Sequence, residues 1–523
     1  MSAVSSARAP DPDAPVVLEL AGITKRFGPL IANEAVDLTL RRGEIVALLG
    51  ENGAGKTTLM NILFGHYVAD EGEVLVAGPD GALVPLEPGS PRAALDAGIG
   101  MVHQHFTLAE NLTVLDNVLL GTEPLWRPWR STAAPRAKLA ALMARSGLSI
   151  DLDATVADLT VGERQRIEIL KALYRDVRIL VLDEPTAVLT PQESDGLFAT
   201  LRALADHGLA VIFISHKLHE VIAAAGRVAV LRSGRKVAEV PTAGIDRGRL
   251  AELMVGRTVA PSRREPRTPG AEVLRLDRVS IAGAEVRRRL DEVSLTVREG
   301  EIVGIAGVSG NGQTALAGLL SGLLAPSAGT LALDGRTLDA LTPGAVVALG
   351  VGRIPEDRHA EGAVGAMSIE ENIALERFRS ARFQRAGFLR AKAIRDHAET
   401  AIAAYDIRCP GPHAAIRQLS GGNMQKAILA RALDGEPRLV LANQPTRGLD
   451  VGAVAEVHRR LLAARLRGAA IVLITEDLDE LFALADRIAV MFRSRLTEPC
   501  AAEDVTLKRL GLMMAGHDPA EVA

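Results

Sequence analysis

The 523-residue chain is poor in cysteine and in aromatic residues: two cysteines, two tryptophans and three tyrosines, with aromatics at 3%. Cys409 and Cys500 form no CxxC pair and no cluster of ligands, which speaks against a disulfide scaffold or a cysteine-built zinc site. A basic excess is also missing. Lysine and arginine number 60 against 64 acidic residues, for a net charge of −4 and a pI near 6.3. This argues against a dedicated nucleic-acid-binding chain. No apolar run approaches the ~18 residues that span a bilayer. The longest, residues 209–215 and 469–475, have the length of buried strands. Residues 1–15 are rich in Ser, Ala, Pro and Asp and lack the apolar stretch of a signal peptide, so they read as a loose tail. These absences suit a reducing, cytosolic setting. What remains is an ordinary globular balance, 48% apolar and 24% charged, with mean hydropathy +0.17.

The chain repeats itself. Residues 43–50 (GEIVALLG) return as 300–307 (GEIVGIAG), displaced by 257. Residues 159–162 (LTVG), 178–186 (RILVLDEPT) and 211–215 (VIFIS) return as LSGG, RLVLANQPT and IVLIT, each displaced by 260. A near-constant displacement over so many segments means two copies of one domain. We place them at residues 16–256 and 271–516, with a Pro/Arg-rich exposed linker at 257–270 and tails at 1–15 and 517–523. Within each copy, short β-branched runs alternate with amphipathic stretches; Ile167, Leu170 and Tyr174 mark one helix face. That alternation predicts an α/β fold with parallel strands.

Residues 50–57 read GENGAGKT, between an apolar strand (45–49) and a helix (57–64). This is the Walker A pattern in its required context. Gly50, Gly53 and Gly55 let the backbone turn its N–H groups toward phosphates. The helix N-terminus adds its dipole. Lys56 supplies a mobile cation, and Thr57 a hydroxyl for Mg²⁺. Residues 179–184, ILVLDE, form a second apolar strand ending in two acids. Asp183 suits Mg²⁺ through water, and Glu184 suits polarising the attacking water. Two solvated acids at a strand end is the plainer alternative.

Residues 419–423, LSGGN, precede a helix expected from Met424. Together with the two Walker motifs and His216 after a strand, this resembles the ATP-binding cassette (ABC) superfamily over about residues 16–516. The resemblance implies two tandem P-loop domains. Each would have a RecA-like α/β core, an antiparallel β subdomain and an α-helical subdomain. It implies that Gly50, Glu51, Asn52, Gly53, Ala54, Gly55, Lys56, Thr57 and Thr58 cradle ATP. By the same likeness Thr57, Gln104 and Asp183 attend Mg²⁺, and Glu184, His216 and Gln104 serve hydrolysis. Phe27, 29 residues before Lys56, resembles the adenine-stacking aromatic; core packing is the alternative. His103 and His105 have HxH spacing, for which packing is the plainer reading than a metal. Trp126 and Trp129 suit either a partner or internal packing.

The second copy has lost its chemistry. Lys56 becomes Gln313, Asp183 becomes Asn443, Glu184 becomes Gln444, His216 becomes Glu476 and Gln104 becomes Glu356. An amide binds Mg²⁺ weakly and cannot act as a base. The signature is degraded in the opposite sense: the second copy keeps Ser420, Gly421 and Gly422, whereas the first has Val161 in LTVGE. Asp450 is likewise present in the second copy, with Thr190 at its place in the first. ABC cassettes resemble one another in pairing head to tail, each ATP between one Walker A and the partner's signature. Under that likeness the losses sort by site. The first copy's Walker residues join Ser420, Gly421, Gly422 and Asp450 in one competent site, and the other site is degenerate.

The half-degenerate tandem layout looks like that of bacterial carbohydrate-uptake ATPases. MVHQHF (101–106), GVSGNGQ (307–313), PEDRH (355–359) and QPTRGLDVGA (444–453) look most like purine nucleoside importers, ahead of simple-sugar importers. The resemblance implies ATP and Mg²⁺ as cofactors, two integral-membrane permease subunits docking at residues 104–117 and 356–372, and a substrate-binding lipoprotein. It also implies a peripheral position on the cytoplasmic face of the membrane, with no nucleic-acid partner. A soluble tandem ABC factor acting on the ribosome is the alternative; the short linker and the single intact site weigh against it.

Overall fold

The computed structural model describes residues 11–103, 106–122, 132–186, 189, 191–215, 217–256, 264–283, 285–308, 310–338, 342–514 and 516–517. The chain divides into two compact units, Met1–Val259 and Ala260–Ala523.

The first unit opens with a long hairpin, Val16–Phe27 and Leu30–Arg41. Alternate residues point to one face, so Leu18, Leu20, Leu38 and Leu40 are buried, and the register pairs Leu18 with Leu40 and Leu20 with Leu38. Glu71–Ala77 and Leu83–Pro85 extend this into a four-stranded antiparallel sheet. A second sheet runs Arg235–Pro241, Arg227–Arg232, Ile45–Gly50, Ala210–Ile214, Ile179–Asp183, Ile99–Val102. All its pairings are parallel except the edge hairpin of Arg235–Pro241 with Arg227–Arg232. Parallel strands are covered on both faces, so they read as unbroken apolar runs; Ile45–Gly50 and Ala210–Ile214 are buried at every residue. One core lies between the two sheets and includes Leu18, Leu48, Leu59 and Val181. Burying each such leucine contributes roughly 1.5–3 kcal/mol. Helices Val114–Leu119 and Ala133–Ser146 pack on Val161–Tyr174 as a helical subdomain.

The second unit repeats the plan. Leu290–Arg298, Glu272–Ile281, Ala328–Leu333 and Arg336–Thr337 form the antiparallel sheet. The main sheet runs Val351–Ile354, Leu439–Asn443, Ala470–Ile474, Ile302–Ala306, Arg487–Phe492, Arg495–Leu496, with Cys500–Ala501 paired to Arg487–Phe492. Ile369–Ala374, Ala391–Ala404 and Gly421–Ala432 form its helical part. The expected three-part α/β architecture is therefore present in each unit. No helix among the described residues is long and apolar enough to cross a membrane.

Two local expectations need revision. The signature helix of the second unit begins at Gly421, not at Met424, because Ser420, extended (φ −62°, ψ 156°), stands at the N-cap position. The linker is not exposed throughout. Arg264 donates to Ala485 O and pairs with Asp486, and Arg267 donates to Arg465 O at 2.9 Å. The buried Arg465 in turn binds Asp486 through two hydrogen bonds, at 2.9 and 2.7 Å, and donates to Glu265 O at 2.9 Å. Residues from Arg264 onward thus lie against the second unit.

Candidate functional site

Open parallel sheets bind ligands outside the carboxyl ends of their strands. In the first unit Ile45–Gly50 and Ile179–Asp183 are neighbours of Ala210–Ile214, and all three end on one edge. After Gly50 the chain turns through Gly53 (φ 83°) and Gly55 (φ 98°) into the helix Lys56–Leu63, one residue earlier than the sequence suggests. Gly55 has no room for a side chain: a Cβ would lie 2.2 Å from Ala32 O and 2.6 Å from Asn33 Nδ2. Asn33, fully buried, donates through Nδ2 to Gly55 O at 3.2 Å and braces the loop.

Lys56 is 9% exposed, and its Nζ donates to Gly50 O (2.8 Å) and Glu51 O (2.9 Å). The ammonium is thereby folded over the loop that Gly50, Glu51, Asn52, Gly53, Ala54 and Gly55 build. Thr57 and Thr58 follow on the first helical turn. The Thr57 hydroxyl lies 3.5 Å from Asp183 Oδ2. Burial pushes the Asp183 carboxyl above the ordinary carboxylate range, the neighbouring charge of Glu184 adds to this, and Lys56 and Thr57 oppose it. A hydroxyl and a carboxylate oxygen whose charge asks for a counter-cation make a donor pair for a hard divalent ion. Glu184 takes a left-handed backbone, φ 49°, and its N–H donates to Ile214 O at 3.0 Å.

Phe27 is 42% exposed, so core packing does not account for it. It meets Tyr67 edge-to-face with centroids 5.5 Å apart, and Lys25 Nζ stands 5.5 Å from its ring centroid. Tyr67, which the sequence did not single out, makes this an exposed aromatic pair just beyond the P-loop helix. His103 stacks on His66 (5.6 Å, 14°) and meets the ring of Phe64, so it is engaged in packing. Gln104, His105, Trp126, Trp129, Thr190 and His216 lie outside the described residues.

The two signature helices begin differently. In the first unit Thr160 Oγ1 accepts from Glu163 N (3.3 Å), while the Glu163 carboxylate accepts from Thr160 N (2.9 Å) and Thr160 Oγ1 (2.8 Å). This capping box satisfies the helix end from within and holds the Glu163 pKa below its ordinary value, chiefly through the Thr160 N–H. In the second unit Ser420 makes no such bond; its Oγ accepts from Asn423 Nδ2 at 2.9 Å. Gly422 faces Asp450: a Cβ there would stand 3.9 Å from Asp450 Oδ2. Asp450 also caps the next helix by accepting from Ala453 N at 2.8 Å. Arg358, from the PEDRH motif, donates to Arg447 O at 3.0 Å, and a Cβ on Gly421 would lie 3.5 Å from its guanidinium carbon.

The corresponding segment of the second unit turns through Gly310 (φ 92°) and Gly312 (φ 114°) into the helix Gln313–Leu320. Gln313 is buried, its Nε2 has no partner, and a Cβ on Gly307 would lie 2.6 Å from that atom. Gln444 repeats the φ of Glu184, 49°, with its N–H on Ile474 O at 2.7 Å.

A family profile described as "ABC transporter" matches residues 33–187 and 290–447. The chain is 45% identical to the glucose import ATP-binding protein TsgD13 of Haloferax volcanii, over 95% of this chain and 96% of that protein. It is 42% identical to the nucleoside import ATP-binding protein NupA of Lactococcus lactis, over 96% and 98%. Among solved structures, the archaeal ribosome recycling factor aABCE1 in complex with stalk protein aP1 aligns over 92% of this chain and 90% of that one. Its TM-score is 0.61 at 18% identity, a likeness of fold alone.

Proposed function

The chain belongs to the ABC transporter family, and from that premise we propose that it is the ATP-hydrolysing subunit of an importer for nucleosides or simple sugars. The observation that carries the reading is the cluster of Lys56, Thr57 and Asp183 at the strand ends of the first unit, against Gln313, Thr314 and Asn443 in the second. Two of the relatives are named for glucose and for nucleosides. Both solutes carry a sugar ring, and the short motifs that resemble purine nucleoside importers favour nucleosides. The work would be done on separate membrane permease subunits, with a substrate-binding lipoprotein outside and this chain at the cytoplasmic face.

In this reading the loop 50–57 directs backbone N–H groups at the phosphates of ATP. Lys56 leaves its loop carbonyls to neutralise the outer phosphate oxygens. Thr57 and Asp183 would hold Mg²⁺, which when bound draws charge from the β- and γ-oxygens. Glu184 would orient and polarise the attacking water, and the family resemblance assigns His216 to the γ-phosphate and Gln104 to Mg²⁺. Phe27, beside Tyr67, offers its face to the base; such stacking contributes ~1–3 kcal/mol. The sequence losses sort by site, so Ser420, Gly421, Gly422 and Asp450 serve the ATP that Lys56 holds. Closing on ATP and reopening after hydrolysis makes a two-state motor for a permease.

The test is uptake of labelled guanosine, glucose and ribose by source cells lacking the gene, complemented with wild type or Glu184→Gln. Loss of nucleoside uptake that only wild type restores supports the whole reading. The same behaviour for a sugar alone keeps the mechanism and overturns the nucleoside preference. Unchanged uptake of all three overturns the substrate class.

A further inference from the structure

We propose that Glu220 is a positioning residue that ties the chain after Glu184 to the chain around His216, so that the two move as one piece. The inference rests on the hydrolytic reading of the first unit.

Glu220 lies in the first turn of the helix Leu218–Ala224 and is 3% exposed. Burying a carboxylate is costly unless its oxygens are matched. Here Oε2 accepts from Thr186 Oγ1 at 2.6 Å and from Ser215 Oγ at 3.2 Å. Lys217 Nζ stands 3.4 Å from Oε1 and donates to Thr186 O at 2.9 Å, while Lys217 N donates to Ser215 Oγ at 3.0 Å. Thr186 is two residues beyond Glu184; Ser215 and Lys217 flank His216. Thr186 and Ser215 are themselves buried. One carboxylate therefore gathers the two segments that carry the water-polarising acid and the histidine.

The second unit supplies an internal control. Glu480 stands at the corresponding position, displaced by 260, with Thr446 and Thr475 in place of Thr186 and Ser215. Its Oε1 meets His458 Nε2 at 3.1 Å, and its Oε2 is buried without a partner. The same sheet and helix thus form without the tie. The tie accompanies the chemistry, present with Glu184 and absent with Gln444, and the fold does not require it.

Displacement of a reacting group by about 1 Å costs on the order of 10²-fold in rate. In the full-length chain, Glu220→Ala is expected to lower kcat for ATP hydrolysis by about that factor, while KM and nucleotide affinity change far less. Glu220→Gln keeps an acceptor for a hydroxyl and is expected to recover part of the loss. Thr186→Val should lower kcat by itself, and the double variant with Glu220→Ala should be no slower than Glu220→Ala. Glu480→Ala should lower the melting temperature and leave kcat unchanged. The inference is overturned if Glu220→Ala keeps its kcat while Thr186→Val does too, or if Glu220→Ala loses nucleotide binding along with turnover. If Glu220→Ala does not fold, an undiminished kcat in Thr186→Val overturns it alone. Lys56→Ala in the same assay separates the two levels. Should it retain full turnover, the hydrolytic reading fails; should it abolish turnover while the Glu220 and Thr186 variants do not, only the positioning role fails.

Discussion

Replacing the two signature caps, Thr160 and Ser420, by alanine should produce opposite results. Thr160→Ala deletes the hydroxyl that accepts from Glu163 N at 3.3 Å and donates to its carboxylate at 2.8 Å. Loss of such a cap costs about 1 kcal/mol. In a unit of this size that lowers the melting temperature by roughly 2–4 °C. Ser420 has no bond to its helix end, so Ser420→Ala should cost only the Asn423 contact at 2.9 Å and leave the melting temperature nearly unchanged. Turnover should behave the other way: Ser420→Ala slows ATP hydrolysis, and Thr160→Ala does not. The pH dependence follows from Glu163. Its folded pKa is depressed, so the carboxylate's share of the capping box is complete above the ordinary carboxylate pKa of ~4.3 and is lost as pH falls through the lower folded value, while the bond from Glu163 N to Thr160 Oγ1 remains. Of the carboxylate's bonds, Thr160→Ala removes only the hydroxyl's and keeps that of the backbone N–H, so the melting difference between wild type and Thr160→Ala should shrink in part, and not vanish, on acidification below pH ~4.3. Calorimetry at two pH values and a phosphate-release assay decide the matter. Equal loss of turnover in both variants would refute the assignment of distinct roles.

Lys56→Ala and Ser420→Arg should each abolish hydrolysis, although they lie in different units, whereas Gln313→Ala and Thr160→Arg should be mild; unchanged turnover in Ser420→Arg would refute the crossed pairing. Gly55→Ala sets a Cβ 2.2 Å from Ala32 O at φ 98°, so nucleotide affinity, read by equilibrium titration, should collapse. Asp486→Ala leaves the guanidinium of Arg465 buried without its partner, and denaturant titration should show a loss of about 3–5 kcal/mol.

Much of the candidate site was readable because phosphate chemistry confines itself to contiguous motifs. Residues 50–57 and 179–184 announce strand, turn and helix in sequence, and the structure brings Thr57 and Asp183 to 3.5 Å. Asn33, Tyr67 and Glu220 were not readable. Each acts through a neighbour supplied by sheet or helix packing, and none belongs to a pattern with fixed spacing. Glu163 is a different failure. The T-x-x-E spacing of a capping box was present in LTVGE, but the segment was read only as a damaged signature. The start of the second signature helix was misplaced for a related reason: glycine pairs argue against a helix by propensity, and the extended Ser420 overrides that. The linker's exposure was legible for most of its described residues, and only the partners that Arg264 and Arg267 find on the second unit were not, because composition records polarity and not partners.

Glu184 and Gln444 share a left-handed backbone at φ 49°, each locked by an N–H to the strand beside it. Conformations of this kind cost of order 1 kcal/mol or more. One copy carries an acid at this turn and the other an amide, yet the costly turn stands in both. The strain is therefore an inheritance of the architecture, a hinge pin between strand and loop, and not a device reserved for turning over substrate. The two copies differ here in side chains upon a common backbone, so an acid at this turn can be exchanged for an amide while the scaffold stands.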